Sequence, residues 1–154
     1  MSMDHLLREL APISSTAWDA IEDECKSRLT TYLAARKLVD FVGPHAWAHS
    51  STSLGRSVTV DGPDGGVEAR QRQVLPLLEL RVPFDISRQQ LDDIDRGAVD
   101  VDFGSLDDAV RRLGVAENAV VFKGHPSAGI TGITATSSHA PIALGDDFDQ
   151  YRRL

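Results

Sequence analysis

Read for hydrophobic and polar positions alone, the chain begins with one long helical pattern. Trp18, Ile21, Cys25, Leu29 and Leu33 recur every three to four residues, with Asp19, Glu22, Asp23, Lys26 and Arg28 between them. That spacing predicts an amphipathic helix from about Thr16 to Val39. Ser14 or Ser15 can cap its start, and Gly43-Pro44 stops the pattern a few residues past its end.

The period then changes to two. Val58 and Val60 alternate with Ser57 and Thr59, the turn-rich DGPDGG follows from Asp61 to Gly66, and VEARQRQ runs on from Val67 to Gln73. This predicts a hairpin. Its second strand puts Glu68, Arg70 and Arg72 on one face and Val67, Ala69, Gln71 and Gln73 on the other, so neither face can bury much apolar surface in a core of its own. A two-stranded hairpin is marginal alone in water. A neighbouring subunit is one way to supply what it lacks.

Leu78, Leu80, Val82, Phe84 and Ile86 alternate with polar residues and Pro83, predicting a strand with one buried face, at an edge or interrupted at the proline. Ser87 and Gln90 suggest a capping box for a short helix through Ile94, ending near Gly97. Ser105 and Asp108 suggest the same device for a longer helix with Leu106, Val110 and Leu113 on its apolar stripe. Gly114 is expected to weaken or bend that helix before Val120, Val121 and Phe122. Beyond a glycine-, serine- and proline-rich stretch from Gly124 to Gly145, FDQYRRL predicts a new helix behind Asp146 or Asp147. The pattern breaks off at Leu154, which gives the expectation of a truncated chain.

Composition narrows the function classes. At 154 residues and 42% hydrophobic, the chain can build one core of ordinary size. Its 16 lysines and arginines against 23 acidic residues give a net charge of −7, which argues against a nucleic-acid partner. Asp4, Arg8 and Glu9 interrupt the first apolar stretch, so neither a signal peptide nor a membrane span is predicted there. A single cysteine, Cys25, suits a reducing compartment, and the expected location is the cytoplasm.

No catalytic constellation emerges. Gly124 to Thr131 has the glycine spacing of a phosphate-binding loop, but Ile130 stands where the lysine belongs. His45 and His49 have a metal-ligand spacing without a carboxylate or cysteine close by in sequence, and read as surface histidines. Asp93, Asp95, Asp100, Asp102, Asp107 and Asp108 do not fit a calcium loop. Cys25 lies on the apolar stripe, where a thiol is ordinarily a small core residue, and there is no G-x-S-x-G elbow. The chain is therefore read as a binding or structural protein and not an enzyme, with no metal or other cofactor.

The order of segments resembles one family, the encapsulins of the linocin type. LLRELAPISSTAWDAIEDE from Leu6 to Glu24, the run Ala35 to Asp40 and Gly43-Pro44 are similar to its amino-terminal helix and the exit from it. Leu75 to Arg81 with Phe84, and Leu91 to Gly97, resemble its central strand and the helix after it. Glu117, Val121, Phe122, Gly124 and Gly129 to Ile133 resemble the end of its long helix and the turn beyond.

The resemblance implies an α+β fold of the tailed-phage capsid (Hong Kong 97-like) type. It divides the chain into an amino-terminal arm and helix over 1–44, an extended-loop hairpin over 45–74 and a partial peripheral domain with a spine helix over 75–154, without the axial domain. It implies a homo-oligomeric shell around cargo such as a dye-decolourising peroxidase or a ferritin-like protein carrying a carboxy-terminal targeting peptide. By position, Leu29, Leu33, Arg36, Leu38 and Asp40 resemble part of the peptide's groove, and Val58, Val60, Val67, Arg70 and Arg72 belong to the intersubunit hairpin. Gln89 stands where some members carry a flavin-binding tryptophan, so no flavin is expected. Two alternatives remain: a phage-type capsid protein packaging DNA, which the overall acidity disfavours, and a small hydrolase or protease.

Overall fold

The computed structural model describes residues 7–139. The helix expected behind Asp146 or Asp147 lies outside them. The fold is α+β, and its core forms where two helices cross.

Helix α1 spans Ser15–Tyr32, with Ser14 as its cap: the Ser14 hydroxyl accepts from the backbone N–H of Ala17 at 3.0 Å. It ends seven residues before the sequence pattern predicts, for a tertiary reason. Asn118 reaches across from a second helix and donates to the Tyr32 carbonyl at 2.8 Å, while accepting from the Ala35 N–H at 2.9 Å. The backbone groups that would continue the helix are thus satisfied elsewhere, and the chain turns into a short 3-10 helix at Ala35–Lys37.

Helix α2 spans Arg88–Asp95, capped by Ser87 through the Gln90 N–H at 3.2 Å. The reciprocal half of the predicted box is missing, because the Gln90 side-chain amide oxygen (Oε1) accepts from the Asp102 N–H instead. Helix α3 spans Gly104–Lys123 without a side-chain cap on Phe103. The predicted capping role of Ser105 is corrected: it lies inside the helix, and its hydroxyl accepts from the Asp85 N–H at 3.1 Å. The Gly104 N–H is satisfied by Asp102 at 2.8 Å.

Gly114 does not break α3, which runs unbroken to Lys123. The residue is buried because the end of α1 passes directly over it. A Cβ at position 114 would lie 2.6 Å from that of Tyr32, so the glycine makes room for the end of α1. Ile21 of α1 and Leu106 and Val110 of α3 form the core, with Trp18, Cys25, Leu29, Tyr32, Ile86, Leu91 and Phe103 packed around them. Leu106 is 1% exposed, and burial of one such side chain contributes about 1.5–3 kcal/mol. Arg28 ties the same helices from outside, bonded to Glu24 at 2.7 Å on its own helix and to Asp107 at 3.0 Å on α3.

The strand expected over Leu78 to Ile86 does not form. The segment is irregular, with no ladder partner among the described residues, yet Leu78, Leu80, Val82 and Ile86 are half-buried while Glu79, Arg81 and Asp85 are exposed; Phe84, expected on the inward face, is exposed as well. Alternation predicts which side chains turn inward; a strand also requires a neighbour to bond with.

The hairpin is longer than predicted. Strand β1 (Ser51–Val60) pairs antiparallel with β2 (Ala69–Pro76), with an irregularity between Ser53 and Ser57. Val67 falls outside the ladder, in the connection. After α3 the glycine-rich segment folds into a small hairpin, β3 (Gly124–His125) with β4 (Ile130–Thr131), joined by a 3-10 turn at Pro126–Ala128. Gly132 is packed so tightly on the backbone of residues 122–124 that a Cβ would come within 2.4 Å of it. Gly124 and Gly132 thus serve close backbone packing, and Gly129 supplies the positive φ of the turn.

Candidate functional site

The end of α1 and the turn after it form a shallow groove of about 390 Å³, lined by Lys26, Leu29, Thr30, Leu33, Arg36 and Lys37. Lys26, Leu29, Thr30 and Leu33 share one helix face by their three- and four-residue spacing. The 3-10 turn then brings Arg36 and Lys37 to the end of the groove. Of the five residues assigned here from the sequence, the structure brings together Leu29, Leu33 and Arg36. Leu38 and Asp40 do not line the groove: the chain has turned away, and both are exposed.

Arg36 is held in place on two sides. Its guanidinium makes two parallel hydrogen bonds to Glu117 of α3, at 2.6 and 2.7 Å, and its far face lies over the Phe41 ring at 4.6 Å. Bonding to Glu117 raises its pKa above the ordinary arginine value. Sequence reasoning missed Glu117 and Asn118 as the residues that fix this groove. The signal was present, since both interrupt the apolar run from Val115 to Phe122.

The hairpin offers a second surface. Its register places Val58 opposite Gln71 and Val60 opposite Ala69, while Thr59 faces Arg70 and Ser57 faces Arg72. The valines and the arginines therefore occupy opposite faces. Arg70 bonds Ser57 at 3.2 Å and Glu68 at 3.0 Å. No residue of either strand is buried, and Leu54, Val58, Val60, Val74 and Leu75 are each at least 40% exposed.

Four of the aspartates singled out in the sequence are engaged by neighbouring side chains. Asp93 bonds Gln89 and Arg96, Asp95 accepts from Ser14, Asp107 meets Arg28 and Asp108 meets Arg111. Burial, reinforced by Glu22, Glu24 and Asp107, raises the Cys25 thiol pKa, the reverse of what a nucleophile needs. Among the described residues no helix is long and apolar enough to cross a membrane.

Over residues 3–153 the sequence matches the family Linocin_M18, described as "Encapsulating protein for peroxidase". The chain belongs to this family. Its linocin-type relatives include three named Type 1 encapsulin shell protein. That of Rhodospirillum rubrum is 43% identical over 155 residues, covering 97% of this chain and 55% of the relative. That of Rhodococcus erythropolis is 40% identical, covering 97% and 56%. That of Mycobacterium tuberculosis is 37% identical, covering 94% and 55%. The chain thus spans about half the length of the curated relatives it matches.

Proposed function

We propose that the chain is a shell subunit of an encapsulin-type compartment, in which copies associate around cargo. The observation that carries this reading, beside the family match, is the β1–β2 hairpin. It projects exposed apolar side chains and buries none of its own, an arrangement that makes physical sense when another copy covers it. In this reading the chain has a Hong Kong 97-like fold, with an arm and helix over 1–44, an extended loop over 45–74 and part of a peripheral domain over 75–154, α3 being the spine helix. Val58, Val60, Val67, Arg70 and Arg72 meet the neighbouring copy.

The groove on α1 takes the targeting peptide of a cargo such as a dye-decolourising peroxidase or a ferritin-like protein. Leu29 and Leu33 supply apolar anchors and Arg36, fixed by Glu117, a directional edge. Leu38 and Asp40 contribute from outside the groove only if the peptide extends past it. A cytoplasmic location goes with this reading.

Electron microscopy of the purified chain tests the assembly, with hollow closed or partial shells expected; uniform small particles would overturn it. Fluorescence anisotropy with a labelled cargo-tail peptide tests the groove. Leu33→Asp is expected to abolish binding, and equal binding by the variant would remove the groove from the proposal.

A further inference from the structure

We infer that the segment Leu7 to Ile13 is a strap, clamped by Arg8, that closes the amino-terminal half of the α1 face whose other half forms the groove. The segment holds a short 3-10 turn at Arg8–Leu10 and runs into Ser14, which caps α1 and donates to Asp95 of α2. Arg8 meets α1 twice: its guanidinium bonds Glu22, and it lies over the Trp18 ring at 4.9 Å. A pocket of about 250 Å³ remains between strap and helix, lined by Arg8, Glu9, Ile13, Ser15, Trp18 and Asp19.

Trp18, Glu22, Lys26, Leu29 and Leu33 follow one another at three- or four-residue spacing and so share one face. From Trp18 to Leu33 that face is about 22 Å long. Glu22 stands at its division, accepting from Arg8 of the strap on one side and from Lys26 of the groove, at 3.4 Å, on the other. The chain's own strap thus lies where a longer ligand of the groove would continue.

The strap is held weakly. Its 3-10 turn has no buried residue, and the Arg8 and Glu22 side chains are 32% and 36% exposed, a setting in which an ion pair and a cation–π contact each contribute little. Two costs oppose closure. Trp18 Nε1, in the ring beneath Arg8, is buried with no hydrogen-bond partner. Leu7, alone among the described non-glycine residues, has a left-handed backbone, with φ 49°. A ligand that accepts from the indole N–H and packs on Trp18 can therefore displace the strap. This limit on what the groove holds rests on the peptide reading above; the strap itself does not.

Acrylamide quenching of tryptophan fluorescence tests the strap on the full chain, with Trp47→Phe leaving Trp18 as reporter and circular dichroism checking the fold of each variant. Arg8→Ala removes an exposed ion pair and a cation–π contact together, and is expected to raise the open-to-closed ratio about threefold to thirtyfold, and the quenching with it. Glu22→Ala, which leaves the stack, is expected to give a smaller rise. A labelled cargo-tail peptide long enough to reach from Leu33 to Trp18 is expected, by anisotropy, to bind Arg8→Ala more tightly by up to the same factor. Unchanged quenching in Arg8→Ala would overturn the strap, as would raised quenching with no gain in affinity for a peptide whose binding Leu33→Asp abolishes. Equal binding by Leu33→Asp removes the peptide reading alone, and the quenching then decides the strap.

Discussion

The helical pair and the hairpin answer the same problem in opposite ways. Between α1 and α3 every device holds the pair together: Ile21, Leu106 and Val110 are buried, Arg28 clasps both helices from outside, Asn118 brackets the end of α1 and Gly114 lets the backbones approach. The hairpin has an antiparallel ladder, interrupted between Ser53 and Ser57, and no core. Hydrogen bonds alone contribute little net stability in water, so the ladder sets the hairpin's shape while its apolar side chains remain available. The helical pair stabilises the chain; the hairpin is suited to binding.

That contrast breaks most severely if core and hairpin substitutions cost the same. Leu106→Ala is expected to lower unfolding stability by about 2–5 kcal/mol, read from the urea midpoint. Val58→Ser with Leu75→Ser is expected to change it by less than about 0.5 kcal/mol while weakening self-association in sedimentation. Gly114→Val comes next, at about 1–3 kcal/mol from overpacking against Tyr32; a helix that merely tolerates its glycine would gain stability from the change.

Asn118→Ala, at about 1–3 kcal/mol, leaves the Ala35 N–H without its acceptor. It is also expected to weaken binding at the groove, because the turn carrying Arg36 loses its anchor.

The smallest effect concerns Glu22. Its hydrogen bond to Arg8, then its bond to Lys26, lowers its pKa below the ordinary carboxylate value. A depressed acid stabilises the fold above the unfolded-state value, and the contribution is lost as pH falls through the folded one. Urea midpoints measured from pH 6 down to pH 3 are expected to drop more steeply for the wild type than for Glu22→Gln. Parallel curves would show that this exposed pair contributes nothing.

What was legible in the sequence follows the same division. The stripe from Trp18 to Leu33 and the Ser87 hydroxyl cap depend on local spacing and read correctly, and of the two serines offered for the start of α1 it is Ser14 that caps it. The end of α1 at Tyr32 and the role of Gly114 depend on contacts across more than eighty residues of chain, so local rules extended the helix to Val39 and expected the glycine to weaken α3. Over Leu78 to Ile86 the pattern gave the inward positions except Phe84, which is exposed, and the strand wrongly, because pairing is decided by a neighbour. In the groove, Leu29, Leu33 and Arg36 were legible. Lys26, Thr30 and Lys37 were not singled out, although they share the spacing, and Leu38 and Asp40 were displaced once the chain turned at Ala35.

The central claim is that the hairpin rests on another copy. Isotopically heavy and light chains, mixed before assembly, can be joined with a zero-length carbodiimide that couples Asp61, Asp64 or Glu68 of the hairpin connection to a lysine of whichever copy lies against it. The account predicts heavy-to-light cross-links between these groups. Cross-links confined to single chains, with no mixed pairs, would contradict it.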